Sequence, residues 1–118
     1  MKLIFVYNAD SGLFNALTDW AHKVFSPETY ACHLCALTYS HTGMRREWRD
    51  FIARLGVPVA FLHRDELYAR YGINGIELPA VLHHSSERLP RVWLSAETLN
   101  AAKSLGELQA LISAKLNG

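Results

Sequence analysis

No apolar run in this chain approaches the roughly 20 residues that a membrane-spanning helix requires, which argues against a membrane protein of that kind. An excess of one charge is also lacking. Across 118 residues, 12 Lys and Arg face 11 Asp and Glu, a formal net charge of +1. That balance excludes a broad electrostatic binder of nucleic acid, which needs a strongly basic face. Cysteine is scarce, with two in all, so no disulfide scaffold exists; a chain of this length buries a core without one. The N-terminus carries one lysine and only Leu3 to Tyr7 as an apolar stretch before Asn8-Ala9-Asp10. A secretory signal needs a longer stretch and a small-residue cleavage site, so the expected location is the cytosol. What is present is ample apolar content, 50% hydrophobic against 19% charged residues, the composition of a folded globular domain rather than a disordered chain.

The apolar residues are organised. Leu3-Ile4-Phe5-Val6-Tyr7 reads as a buried strand. Leu13, Leu17, Trp20, Ala21 and Val24 recur at helical spacing, with Asp10 or Ser11 as the cap and Ser26-Pro27 as the stop. Residues 28–42 admit either a helix or a strand; Pro27-Glu28 resembles a helix start, and the helical reading is preferred. Met44, Trp48, Phe51, Ile52 and Leu55 predict an amphipathic helix ended by Gly56. Arg45, Arg46, Arg49 and Arg54 fall mostly on its other side among Glu47 and Asp50, the pattern of a solvated face. Val57–Leu62 reads as a strand, Asp65–Tyr71 as a short helix closed by Gly72, and Ala80–His84 with Arg91–Leu94 as a hairpin. Ser104-x-x-Glu107 opens a last helix carrying Leu108, Leu111, Ile112 and Leu116. One α/β domain over 1–118 is expected.

From Val57 onward the chain resembles the C-terminal half of the thioredoxin-like fold. The residues that carry the likeness run from Val57-Pro58-Val59-Ala60-Phe61-Leu62 through Leu67-Tyr68-Ala69-Arg70-Tyr71-Gly72 to Ile76-Glu77-Leu78-Pro79-Ala80-Val81-Leu82, then the hairpin and the terminal helix. The resemblance implies a four-stranded mixed sheet flanked by helices, with Pro79 in a cis bond beside the active site. The first half departs from it. Where the family keeps Cys-x-x-Cys after the first strand, this chain has Ser11-Gly12-Leu13-Phe14. Its own Cys32-His33-Leu34-Cys35 comes later, within an apparent helical insertion at about 27–56. The whole chain is similar to a group of small bacterial proteins sharing Tyr-Asn-Ala-Asp-Ser-Gly near the start and Phe-Ser-Pro-x-Thr-Tyr-x-Cys-x-Leu-Cys-x-Leu-Thr, here Phe25 to Thr38. Some of that group carry a GTPase label. This sequence gives it no support, because no Gly-Lys dipeptide and no Asn-Lys-x-Asp occurs.

Cys32 and Cys35 carry the strongest chemical signal. On a helix both sulfurs share one face, and the unpaired amides of a helix start stabilise a thiolate at Cys32. A protonated His33 would depress that thiol further. Cys32 would attack a disulfide and Cys35 would resolve the mixed disulfide. Two other readings stay open. Cys35 is a small core residue, or the pair holds a metal: zinc, for which further ligands are not evident from spacing, or copper(I), for which two thiolates suffice. The resemblance places a second candidate, a ligand cleft, at Asp10 and Ser11 with Glu77 and Pro79. There the function would be binding of a peptide or partner protein without catalysis, although Asp10 and Ser11 also serve as plain helix caps. His83 and His84 follow a core strand, and Trp20, Trp48 and Trp93 read as core. The expected partner is a protein or a small thiol, with no cofactor, nucleic acid or membrane.

Overall fold

Five consecutive apolar residues explain the centre of the molecule. In the computed structural model, which describes residues 1–8, 33–40 and 43–118, β1 (Lys2–Tyr7) is an inner strand and is buried from Leu3 to Tyr7. A strand covered on both faces can be apolar throughout, whereas a strand with one wet face must alternate. After β1 the described elements are α1 (His33–Thr38), β2 (Tyr39–Ser40), β3 (Gly43–Met44), α2 (Arg46–Ala53), β4 (Val59–His63), α3 (Arg64–Tyr71), β5 (Ala80–His84), β6 (Arg91–Leu94), α4 (Ala96–Ala101) and α5 (Leu105–Asn117).

The four long strands form one mixed sheet in the order β4-β1-β5-β6. β1 and β4 run parallel, with Leu3 opposite Val59 and Tyr7 opposite His63. β5 is antiparallel to β1, with Val6 opposite Ala80. β6 is antiparallel to β5 and carries an irregularity between Val81 and Leu82. Side chains alternate across the sheet. Leu3, Phe5, Tyr7 and Val81 point into a core with Leu34, Cys35, Trp48, Leu99, Leu108 and Ile112, so α1, α2, α4 and α5 share that face. Ile4, Val6, Ala80 and Leu82 pack on the other face with Leu62 and Leu67, under α3.

The region expected as a helical insertion is mixed. His33–Thr38 is helical, in agreement with the preferred reading, but Tyr39–Ser40 and Gly43–Met44 then pair as a two-stranded antiparallel hairpin. Such short strands carry no periodicity that a sequence pattern can register. The expected helix over Leu13–Val24, with Trp20, lies outside the described residues. α2 agrees with its pattern: Trp48 is buried, and Arg45, Arg46, Arg49 and Arg54 are exposed. Trp93 is only half-buried, with the Lys115 ammonium 5.6 Å from its ring centroid. His83 and His84 are both half-buried, and His84 meets the edge of Tyr71 at 5.3 Å. α4 was not foreseen. Its signal is Ser95, whose Oγ accepts the Thr98 amide at 3.2 Å, as Ser104 Oγ accepts the Glu107 amide at 3.1 Å at the start of α5.

Two glycines make opposite predictions. Gly72 closes α3 at φ 69° and donates its amide to the Tyr68 carbonyl at 2.8 Å; Gly72→Ala costs about 1 kcal/mol from the left-handed backbone alone, since a Cβ meets nothing within 4 Å. Gly106 lies inside α5, where a Cβ meets only Ser104 Oγ at 3.8 Å, so Gly106→Ala gains a few tenths to about 1 kcal/mol. Urea unfolding of both variants checks the sign; a shared sign would contradict the assigned conformations.

Candidate functional site

The parallel strands β1 and β4 end side by side, at Tyr7 and His63. Carboxyl ends of parallel strands are where α/β sheets gather ligands, because the loops and helix starts that follow converge there. Beyond the strand ends, Arg64 Nη1 donates to Asn8 Oδ1 at 3.5 Å. The neighbouring strand enters from the same end. Continuing the antiparallel register one step past Val6 and Ala80 sets Pro79 level with Tyr7. Pro79 is buried and its bond with Leu78 is cis, as the resemblance led one to expect.

A polar cluster adjoins the same core. Cys35 and Thr38 stand three positions apart, hence on one side of α1, and Tyr39 follows at the start of β2. Cys35 and Thr38 are fully buried and Tyr7 is 1% exposed. The Tyr7 ring meets the edge of Tyr39 at 5.8 Å, lies parallel to Phe61 at 6.1 Å and is 5.8 Å from the His63 ring. Thr38 Oγ1 donates to the Leu34 carbonyl at 2.8 Å. Burial drives the Tyr7 phenol well above its ordinary range, and the neighbouring Tyr39 and Cys35 push it further. Burial also raises Tyr39, with Cys35 adding to the rise while the Tyr7 hydroxyl and the Arg49 guanidinium oppose it. Both phenols are therefore neutral at pH 7.

His63 and Glu66 form the other pair. Glu66 Oε1 accepts the His63 backbone amide at 2.8 Å and the ring Nδ1–H at 2.5 Å, which closes the first turn of α3. Partial burial pushes the Glu66 carboxyl up, but the His63 amide and ring outweigh it and leave the group below its ordinary value. A depressed carboxyl stabilises the fold above its unfolded value of about 4.3. That contribution is lost as pH falls through the lower, folded-state value. Because the Glu66 side chain is 38% exposed, solvent screens the pair, and Glu66→Gln costs no more than about 1 kcal/mol at pH 7. Urea unfolding should show the gap between wild type and variant closing in acid; a gap constant from pH 7 to below pH 4 would contradict the pairing.

The other residues singled out by sequence distribute as follows. Cys32, Asp10 and Ser11 lie outside the described residues. Cys35 lies in the core with Tyr7, and Pro79 leads into β5. Glu77 is exposed. His33 is half-buried, and its Nε2–H donates to the Ala102 carbonyl, which ties α1 to the end of α4. Among the described residues no three His, Cys, Asp or Glu side chains gather as a metal would require, and no helix is long and apolar enough to cross a membrane. A groove of about 570 Å³ between α4 and α5 is lined by four alanines together with Glu97, Thr98, Glu107 and Leu111, and Cys35, Glu77 and Pro79 do not line it. Sequence reasoning missed Tyr7, Tyr39 and the His63–Glu66 pair; only the last left a local signal, a side-chain acceptor three residues into a helix. Comparison with family models, curated proteins and solved structures returns no match to this chain.

Proposed function

We propose that the chain is a thioredoxin-like thiol–disulfide protein working through Cys32 and Cys35. The observation that supports this reading is the burial of Cys35 in the same core as Tyr7, the last residue of β1, at the end of the sheet where Pro79 leads into β5. The sheet order β4-β1-β5-β6, with β1 and β4 parallel and the other two neighbouring pairs antiparallel, supports the fold part of the proposal. A four-stranded mixed sheet flanked by helices is what the resemblance implies. The thiol motif is displaced in sequence, and its second member, Cys35, lies on α1 in the core beneath the sheet.

In this reading the Cys32 thiolate attacks a disulfide of a protein or small-thiol substrate. A new S–S bond joins Cys32 to one substrate sulfur, and the other leaves as thiolate. Cys35 then loses its proton and attacks the Cys32 sulfur, releasing the second substrate thiolate. The substrate disulfide gains two electrons and the cysteine pair loses them. Complete burial suits Cys35 to the second step, because an outside disulfide cannot reach it. The test is oxidation of the protein by a small disulfide. Loss of both thiols to an internal Cys32–Cys35 bond is expected; two thiols remaining under mild oxidant would overturn the proposal.

The burial of Cys35 also favours a second reading, in which that thiol is a core residue. Asp10, Ser11, Glu77 and Pro79 would then border a cleft for a peptide or partner protein. Cys32→Ser separates the two, since it abolishes exchange in a redox protein and leaves binding intact in a binding module.

A further inference from the structure

Neighbouring helices ordinarily close the space between them with large side chains, but α4 and α5 face each other across alanines. On α5 the stripe Glu107, Ala110, Leu111 and Ala114 follows helical spacing beside the buried Leu108 and Ile112. Glu97, Ala101 and Ala102 form the α4 side. Between them lies an open, mostly apolar groove of about 570 Å³, within the roughly 300–1,000 Å³ of ordinary ligand sites. Ala101, Ala110 and Ala114 are exposed, where a solvated helix face ordinarily carries charge.

The charges that border the groove have one sign. Glu97 stands on one wall and Glu107 on the other, and both are exposed. Among the described residues neither carboxylate joins an ion pair. Glu107 Oε2 accepts only a long bond from Ser104 Oγ, at 3.5 Å. The Thr98 hydroxyl is already engaged with Ser95 Oγ at 3.0 Å. The cations of this region lie elsewhere: the Lys115 ammonium sits over Trp93, and Lys103, between the helices, does not line the groove. The whole chain carries a net charge of +1, so the acidic pair is a local feature.

We infer that the groove between α4 and α5 docks a basic amphipathic helix of a partner protein. The alanines leave room for the bulky apolar side chains of such a helix, which recur at i, i+3, i+4 and i+7. Lysines or arginines beside that stripe meet Glu97 on one wall and Glu107 on the other. Apolar burial supplies the affinity, and the two carboxylates orient the helix and reject acidic ones. Ala102 lines the groove, and its carbonyl accepts His33 Nε2–H, so the docked helix lies behind the start of α1. Docking does not depend on thiol exchange.

The test titrates the full chain with a synthetic helix about four turns long, leucine on one face and lysine on the other. Alanine methyl resonances report where it binds. Shifts at Ala101, Ala102, Ala110 and Ala114 are expected, while a matched leucine–glutamate helix leaves them unmoved. Glu97→Gln combined with Glu107→Gln should weaken binding by about fivefold, as two exposed charge pairs are lost. Glutamine keeps the capping box at the start of α5. Ala110→Arg, at an exposed position, should abolish binding while the chain stays folded. No binding of the lysine helix, equal binding of the two helices, or shifts centred on other residues would overturn the inference. So would a dimer of the free chain that Ala110→Arg dissociates, because a second copy would then fill the groove.

Discussion

Replacing Trp48 by alanine is expected to cost about 3–5 kcal/mol, the range for removing a large buried aromatic side chain. Trp48 has no exposed surface and stands where α2 meets the centre of the sheet. Its ring meets the edge of Phe5 at 5.3 Å and stacks against Phe51 at 5.7 Å. Phe5 continues the stack to Phe61 at 5.4 Å, so the aromatic line runs from α2 across β1 to β4. Truncation would leave a cavity beneath α2, because the strands on the other side are held by their ladder and cannot collapse into it. Total stability for a domain of this size is about 5–15 kcal/mol, so a large fraction goes at once. Trp48→Phe should cost clearly less. It keeps a ring in place and removes an indole N–H that finds no acceptor in the fold among the described residues. Urea unfolding followed by far-ultraviolet dichroism measures both; equal losses in the two variants would mean that the ring's contacts do not hold α2.

Under the redox function proposed above, Cys35→Ser should convert a turnover protein into a trap. With Cys32 intact, attack on a substrate disulfide still yields the mixed disulfide. Without Cys35 its release awaits an external thiol. Well-oriented intramolecular groups act at effective concentrations far above any free thiol, so turnover should fall by about a hundredfold or more while the mixed disulfide accumulates. Cys32→Ser should instead abolish attack and accumulate nothing. Intact-mass analysis distinguishes the three proteins, because the trapped species carries the substrate half. If Cys35→Ser turns over like wild type, the second cysteine takes no part in exchange.

The contrast between what these two residues reveal shows how far the sequence reaches. The strands β1, β4 and β5 were legible as short apolar runs between polar breaks, and β6, exposed at Arg91 and Val92, as the second arm of a hairpin. α3 announced its end through Gly72, and α5 its start through Ser104. α4 was not legible: Ala96-Glu97-Thr98-Leu99-Asn100-Ala101 is too short to show an amphipathic repeat, and it is held by packing of Ala96 and Leu99. The hairpin of β2 and β3 has two residues per strand, and its pairing fixes it rather than its composition. At the site, Cys35 was visible as part of Cys-x-x-Cys, but its neighbours were not. Tyr7 looked like one more apolar residue of β1, and Tyr39 like the end of an ambiguous segment. Only the fold brings β1 and the end of α1 together. His63 escaped notice for a different reason: histidine is not a favoured helix cap, so Glu66 three residues on reads at first as ordinary charge in a first turn.

The account turns on whether Cys32 and Cys35 exchange electrons as a pair. The most direct measurement is a thiol count on anaerobically purified, chelator-treated protein across a dithiothreitol redox series. The account predicts one reversible two-electron transition to a Cys32–Cys35 disulfide, at a potential between about −270 and −120 mV, the span of known thiol oxidoreductases. Two thiols that persist across the whole series would contradict it.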